Sequence, residues 1–342
     1  MSTKIKTITV TPSQLKNALR EAHASGLNPF VQGQPGVGKS AIVAEYAKEI
    51  AAQFRDVRLA YFAPQDIQGY PYLQDEGGGR KTMRFSIPAF WPTEDNCVVA
   101  LEEYNCATRS VQNVSLQLLN ERRIGEHILP DKAFVCLLGN RAEDRVNIEK
   151  LSSAVVNRIC NIRVELDLNG WISWAQKNGI EPLITSFLRF RPELLTTFDG
   201  AKWNGVDNFA SPRTWEKASK IMQNSTDRHI RHVLLDGVLG SGAANEFLGF
   251  IAVYEKLPDL DGVLLNPDKS DVPTDPSTIY ATCAGLAKRV KPKTMGALLT
   301  YLGRMPREFN VFGVKTAVTH NKSLMNTEAF TTFVTNNEGL FN

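Results

Sequence analysis

No apolar run in the sequence reaches the roughly 20 residues that a membrane-spanning helix needs. The first residues, Met1-Ser2-Thr3-Lys4-Ile5-Lys6, lack the apolar core of a secretory signal. No sign of charge dominates: 39 Lys and Arg stand against 36 Asp and Glu, a net charge of +3. Binding to nucleic acid through overall charge is therefore excluded, because such a footprint would need local clustering. Cysteine is scarce and odd in number. The five, Cys97, Cys106, Cys136, Cys160 and Cys283, show no C-x-x-C spacing, and three fall in apolar stretches expected to form strands or helices. A disulfide framework is excluded, and reduced buried thiols are expected. His229 and His232 form H-x-x-H without a third ligand in sight, so a helix surface is expected there and not a metal site. These absences together point to a cytoplasmic protein.

What is present begins with length. A chain of 342 residues with 43% hydrophobic residues suggests about two domains with a sizeable core. One stretch organises the rest. Gly33, Gln34, Pro35, Gly36, Val37, Gly38, Lys39 and Ser40 fit G-x-x-x-x-G-K-[ST], a phosphate-binding loop. Glycines let the main chain wrap a phosphate, and their N–H groups form an anion-binding nest. Lys39 is placed to reach the β- and γ-phosphates, and the Ser40 hydroxyl to coordinate Mg²⁺. Pro29-Phe30-Val31 before the loop reads as a strand end. Ala41 to Ala52 after it reads as a helix, whose N-terminal dipole favours phosphate.

The remaining chain supplies candidate partners. A strand from Lys6 to Val10 and a helix from Pro12 to about His23, capped by Thr11, precede the loop. Val57 to Phe62 alternates as a strand does. Asp66 to Trp91 carries two short alternating runs around Asp75-Glu76-Gly77-Gly78-Gly79-Arg80, the pattern of an inserted hairpin. Cys97 to Leu101 is an apolar run ending in Glu102 and Glu103. A buried parallel strand has this composition, and ligands sit at the carboxyl ends of such strands. Glu102 is placed to support Mg²⁺ and Glu103 to polarise an attacking water. Ser110 to Arg122 reads as an amphipathic helix, and Arg123 to Leu129 as a second small hairpin. Phe134 to Gly139 reads as another buried strand. It ends in Asn140, either a contact for the γ-phosphate or lytic water, or a plain turn residue. Leu151 to Arg158 reads as a helix. Arg158 is either an arginine finger for a neighbouring subunit or a helix-terminal cation. Beyond Glu165 the pattern is helical: Trp171 to Ala175, Pro182 to Phe190, Pro212 to Gln223 and Arg228 to Leu239. Arg213 sits in a first helical turn, where it opposes the dipole and is better used for an external anion. Residues 256–277, rich in Pro and Asp, read as a loop or linker, and 278–335 as helical again. Lys288, Arg289, Lys291 and Lys293 cluster, with a solvated face preferred over a nucleic-acid patch.

In combination these stretches resemble an AAA+ ATPase, with the match nearer the MoxR-like, dynein-related branch. The resemblance lies in the phosphate loop, Asp66 to Pro71, Leu118 to Glu126, Gly139 to Arg145, Ala154 to Arg158 and Ser211 to Trp215. It covers most of residues 10–255, and the C-terminal part is similar to extended bacterial and phage members. It implies an α/β P-loop core with a parallel sheet flanked by helices over 1–165. An all-α lid over 166–255 and a linker with a helical extension over 256–342 follow. It implies binding of ATP and Mg²⁺, with Gly33 to Ala41 and Arg213 on the nucleotide and Ser40 and Glu102 on the metal. Lys39, Glu103, Asn140 as sensor 1 and Arg158 as a trans finger would carry hydrolysis, with Arg213 as sensor 2. Glu102 departs from the Asp usual at its position. The hairpins near 66–91 and 122–130 correspond to a helix-2 insert and a pre-sensor-1 hairpin, both facing a pore or substrate. Ring assembly is implied, usually as a hexamer, with a von Willebrand factor A domain partner and a client protein. For a phage-encoded member the location would be the host cytoplasm. The alternatives are a DNA-acting motor or loader, and a nucleotide-gated scaffold with weak hydrolysis.

Overall fold

The computed structural model describes residues 8–144, 148–255, 257 and 259–337. Lys6 and Thr7 of the expected first strand, Arg145 after the Asn140 loop, and Pro258 lie outside them. The chain divides into two compact units, residues 1–167 with 199–203, and residues 168–198 with 204–342. Each is described by itself.

The first unit is built on a six-stranded sheet, β1 (Thr9–Val10), β2 (Pro29–Gln32), β3 (Gln53–Arg58), β6 (Cys97–Glu102), β9 (Phe134–Gly139) and β10 (Cys160–Val164), in the order β1-β10-β2-β9-β6-β3. All neighbouring pairs are parallel. Parallel sheets need cover on both faces, and the sequence provides it by alternation. Val98 and Ala100 of β6, with Cys136 and Leu138 of β9, pack against Leu15 and Leu19 of α1 (Pro12–Ala24) and Val43 and Tyr46 of α2 (Lys39–Glu49). The intervening Val99 and Leu101, with Val135 and Leu137, pack on the other face. There they meet Ile67 of α3 (Pro64–Gln68), Val111 and Leu118 of α4 (Arg109–Glu121), and Val155 of α5 (Ser153–Val156). Slipping either strand by one residue would exchange the two cores.

Thr11 caps α1 through a reciprocal capping box with Gln14, whose side chain returns to the Thr11 N–H at 3.0 Å. Two hairpins stand apart from the sheet: β4 (Pro71–Asp75) with β5 (Lys81–Phe85), and β7 (Arg123–Ile124) with β8 (His127–Ile128). The strand expected at Val57 to Phe62 instead occupies Gln53–Arg58, and Leu59–Tyr61 is a 3-10 turn. Its register with Cys97–Glu102 decides the boundary, because the ladder ends where Arg58 meets Glu102.

The second unit is helical. It comprises α6 (Leu168–Lys177), α7 (Pro182–Phe190), α8 (Pro212–Asn224), α9 (Arg228–Leu239), α10 (Ser241–Glu255), α11 (Leu260–Leu265), α12 (Pro276–Arg289), α13 (Met295–Gly303), α14 (Arg307–His320) and α15 (Glu328–Thr335). Phe187, Trp215 and Phe247 bring α7, α8 and α10 together through ring contacts. The Trp215 indole donates to the Leu194 carbonyl at 2.8 Å. The stretch expected as a linker, 256–277, contains α11. Asp259 caps it, and Leu260, Val263 and Leu264 enter one apolar cluster with α12, α13 and α14. Among the described residues no helix is long and apolar enough to cross a membrane.

Candidate active site

The phosphate loop joins β2 to α2. Gly36 (φ 78°) and Gly38 (φ 97°) take left-handed angles that side chains resist, and Gly38 is the N-cap of α2. Gly33 is tightly enclosed, since an added Cβ would meet Val37 Cγ1 at 3.0 Å and the Val164 carbonyl at 3.2 Å. Gln34, Pro35 and Val37 complete the turn, which the Val37 N–H closes onto the Gln34 carbonyl at 3.3 Å. Lys39 and Ser40 open α2, with Ala41 behind them, so the helix dipole points at the loop. The Lys39 ammonium donates to the carbonyls of Gly33 (2.8 Å) and Gln34 (3.2 Å), and to Asn140 Oδ1 at 3.4 Å.

At the end of β6, Glu102 is only 7% exposed and lies beside the Ser40 side chain. Burial pushes its carboxyl above the ordinary 4.5, and Asp56 adds to this. The Ser40 hydroxyl and the charges of Lys39 and Arg58 oppose the rise. Glu102 Oε1 is buried without a hydrogen-bond partner. A hydroxyl beside a carboxylate with an unpartnered buried oxygen is a hard donor set, and it suits Mg²⁺. Glu103 follows in a left-handed conformation (φ 53°, ψ 36°), which turns the chain out of the strand into a 3-10 turn, Tyr104–Cys106.

Asn140 follows β9 beside these groups. Its backbone is held by a residue that sequence reasoning passed over: Asn105 Oδ1 accepts the Asn140 N–H at 3.2 Å, and Asn105 Nδ2 donates to the Asn140 carbonyl at 2.8 Å. Asn140 Nδ2 points to Cys106 Sγ at 3.9 Å. Arg141 closes onto Asp144 through Nη2 at 2.6 Å, a pair in which Asp144 is 2% exposed. The only sequence signal for these two residues is a cation followed three positions later by a carboxylate.

Lys39, Ser40, Glu102 and Asn140 thus converge from three neighbouring strands of one parallel sheet, at its carboxyl edge. Residues 28–158 match the model of the AAA domain, dynein-related subfamily. The parallel sheet with helices on both faces and the phosphate loop at its edge is the AAA+ P-loop fold. No curated protein matches the chain. Among solved structures, the RuvB Holliday junction branch migration motor of Thermotoga maritima is similar, at 14% identity and a TM-score of 0.38, with 80% of each chain covered. NtrX from Brucella abortus in complex with ADP is similar at 12% identity and a TM-score of 0.42, over 96% of this chain and 68% of that one. Likenesses this distant leave function undecided.

Arg158 stands away from this cluster. The helix expected to run to Arg158 is one turn, Ser153–Val156, and Arg158 lies past its end. Arg158 Nη1 donates back to the Ala154 carbonyl at 2.7 Å, and its carbonyl accepts from Asn28 at 3.2 Å. Asn28 and Arg158 therefore sit where β2 and β10 enter the sheet, whereas the phosphate loop leaves β2 at its other end. At about 3.3 Å per residue, the four residues of β2 alone separate the two ends by roughly 13 Å. Arg213 is in the second unit, exposed in the first turn of α8, behind the Ser211 cap and Pro212.

The two hairpins of the first unit meet each other. Trp91 Nε1 donates to the Ile128 carbonyl at 3.4 Å, and its ring lies 5.8 Å from His127. Gly69 lets the first hairpin close at its own base, because a Cβ there would lie 1.8 Å from the Ser86 carbonyl oxygen. Tyr70, Tyr72, Leu73, Met83, Ile87 and Ile128, on and beside the hairpins, are exposed.

Proposed function

We propose that the chain is a Mg²⁺-dependent ATPase that assembles as a ring, a hexamer, and remodels or activates a protein partner. The observation that carries this reading is the buried Glu102 beside Ser40, with its Oε1 lacking a hydrogen-bond partner, and the Lys39 ammonium reaching Asn140. Ser40 and Glu102 would hold Mg²⁺, which when bound neutralises charge on the phosphates. The loop N–H groups and Lys39 bind and orient the phosphates of ATP. Glu103 takes the proton of the attacking water, and Asn140 orients that water or the γ-phosphate. Arg213 is proposed to sense bound nucleotide, and Arg158 completes the site from a neighbouring subunit. That assignment agrees with its place at the opposite edge of its own sheet.

The hairpin surface fits contact with a client, and a von Willebrand factor A domain protein is the proposed adaptor. The DNA-acting alternative loses its main support. Lys288 is paired with Glu181, and Arg289 reaches Asp261 at 3.7 Å and the Gly285 carbonyl at 3.2 Å. Half of the basic cluster is thereby engaged within its own unit. The test is ATP turnover in Mg²⁺ by the parent and by Lys39→Ala, with and without DNA. Turnover lost in Lys39→Ala and unmoved by DNA at low salt is expected. Equal turnover in Lys39→Ala would sink the assignment, and DNA stimulation that falls steeply with salt would favour the motor.

A further inference from the structure

Asn105 is 4% exposed, two residues beyond Glu103, within the same 3-10 turn. Its amide satisfies both backbone groups of Asn140, the N–H at 3.2 Å and the carbonyl at 2.8 Å, as a neighbouring strand would. The turn that carries it is fixed from behind. Tyr104 Oη shares a hydrogen bond with Ser115 Oγ at 2.9 Å, and the buried Gln112 donates to the Ala107 carbonyl at 3.0 Å. The Glu149 N–H donates to the Asn105 carbonyl at 2.7 Å. Gly139 must lack a side chain for the arrangement to form, because a Cβ there would lie 2.3 Å from Asn105 Oδ1.

We propose that Asn105 is a positioning residue for hydrolysis: it clamps the Asn140 main chain to the turn that carries Glu103, so that the amide of Asn140 and the carboxylate of Glu103 keep one fixed geometry. This rests on the reading of Asn140 as the contact for water or γ-phosphate. A carboxamide is the side chain suited to the position, since it offers a donor and an acceptor side by side to the carbonyl and N–H of one residue. Both backbone groups of Asn140 would otherwise be left partly buried and unpaired.

Asn105→Asp keeps size and the acceptor but cannot donate to the Asn140 carbonyl when ionised. Gly139→Ala crowds the clamp without altering Asn105, its Cβ also meeting the Phe30 ring at 2.7 Å, so thermal melts of both variants establish that they fold. In both, kcat should fall about 10- to 100-fold, the scale of an angstrom-level misplacement, with ATP affinity held. Lowering the pH should return part of the Asn105→Asp deficit, because a protonated carboxyl donates again. In an Asn140→Ala background Asn105→Asp should cause no further loss; an equal loss there would overturn the inference. Amide hydrogen exchange at Asn140 should accelerate in Asn105→Ala without any nucleotide. Unchanged exchange would show that no clamp exists. If exchange accelerates but Asn140→Ala alone turns over at the parental rate, the link to hydrolysis is overturned through the reading of Asn140 while the clamp itself stands.

Discussion

Glu126, in the turn of the second hairpin, accepts the backbone N–H of Phe85 from the first at 2.7 Å. Arg84 reinforces it with a hydrogen bond to the other carboxylate oxygen at 2.8 Å. Phe85 and Glu126, 41 residues apart in the chain, thus tie the two insertions together at a single carboxylate. The Phe85 N–H, and then Arg84, hold the Glu126 carboxyl below its ordinary 4.5. A depressed carboxyl stabilises the contact fully above that ordinary value and loses it as pH falls through the lower folded value. Exchange of the Phe85 amide should therefore be slow at neutral pH and quicken in acid beyond its intrinsic trend. In Glu126→Ala it should be fast throughout. Slow exchange in that variant at neutral pH would refute the tie.

Glu102 carries the opposite shift. Its folded carboxyl is raised, chiefly by burial, so the folded state holds the proton more tightly than the unfolded one. Its ionisation lowers stability as pH rises from the ordinary value through the raised one, and at neutral pH the charged form is a standing cost. Glu102→Gln should raise the melting temperature in the absence of nucleotide and divalent ions. It should also remove the further rise that Mg²⁺ with ATP gives the parent. Turnover should fall about 10- to 100-fold, as for groups that support a metal through its shell. A variant that melts lower and still responds to Mg²⁺ would contradict the role given to Glu102.

These two carboxylates mark how far the sequence could be read. Gly33 to Ser40 and the run into Glu102 are legible because their chemistry lies within a few consecutive residues. The hairpins are legible because alternation and a glycine turn are local as well. Glu126 with Phe85 is not, since neither residue type carries a signal and their meeting depends on how two insertions pack. Asn105 was hidden for the same reason: its partner arrives from a strand 35 residues later. The boundary at Arg58 was misplaced because alternation continues past the point where pairing with β6 ends. The helix at Leu260–Leu265 escaped notice because the Asp and Pro around it outweighed its three buried residues.

Arg158 lies at the edge of the sheet opposite its own phosphate loop, so the role in hydrolysis proposed for it calls for a second subunit. Arg158→Ala should cut turnover by about 10³ or more, on the scale of arginine fingers, and leave ATP affinity near the parental value. Lys39→Ala should be inactive by loss of phosphate binding. Mixed chains place an intact loop from the first variant beside an intact Arg158 from the second, so activity should partly return on mixing. Steady inactivity across all mixing ratios, with ring formation verified by light scattering, would exclude action in trans.

Glu103 adopts a left-handed backbone that a non-glycine residue enters at roughly 1–2 kcal/mol. Its neighbours Ala51 and Arg122 in that region lie in turns away from the phosphate loop, whereas Glu103 sits at the end of β6 beside Glu102. Strain held at such a position is expected where a side chain must be presented and not packed. Substitution separates the two demands. Glu103→Gln keeps shape and strain, so stability and ATP binding should stay near parental while turnover disappears. Glu103→Gly releases the strain, offset in part by roughly 0.5–1 kcal/mol of added chain entropy. Its melting temperature should equal or exceed that of the parent, again without turnover. Calorimetry and a phosphate-release assay on the same preparations decide the matter. Should Glu103→Gly melt well below the parent, the left-handed turn is not a source of strain. Should Glu103→Gln hydrolyse ATP at the parental rate, Glu103 is not the residue that takes the proton from water.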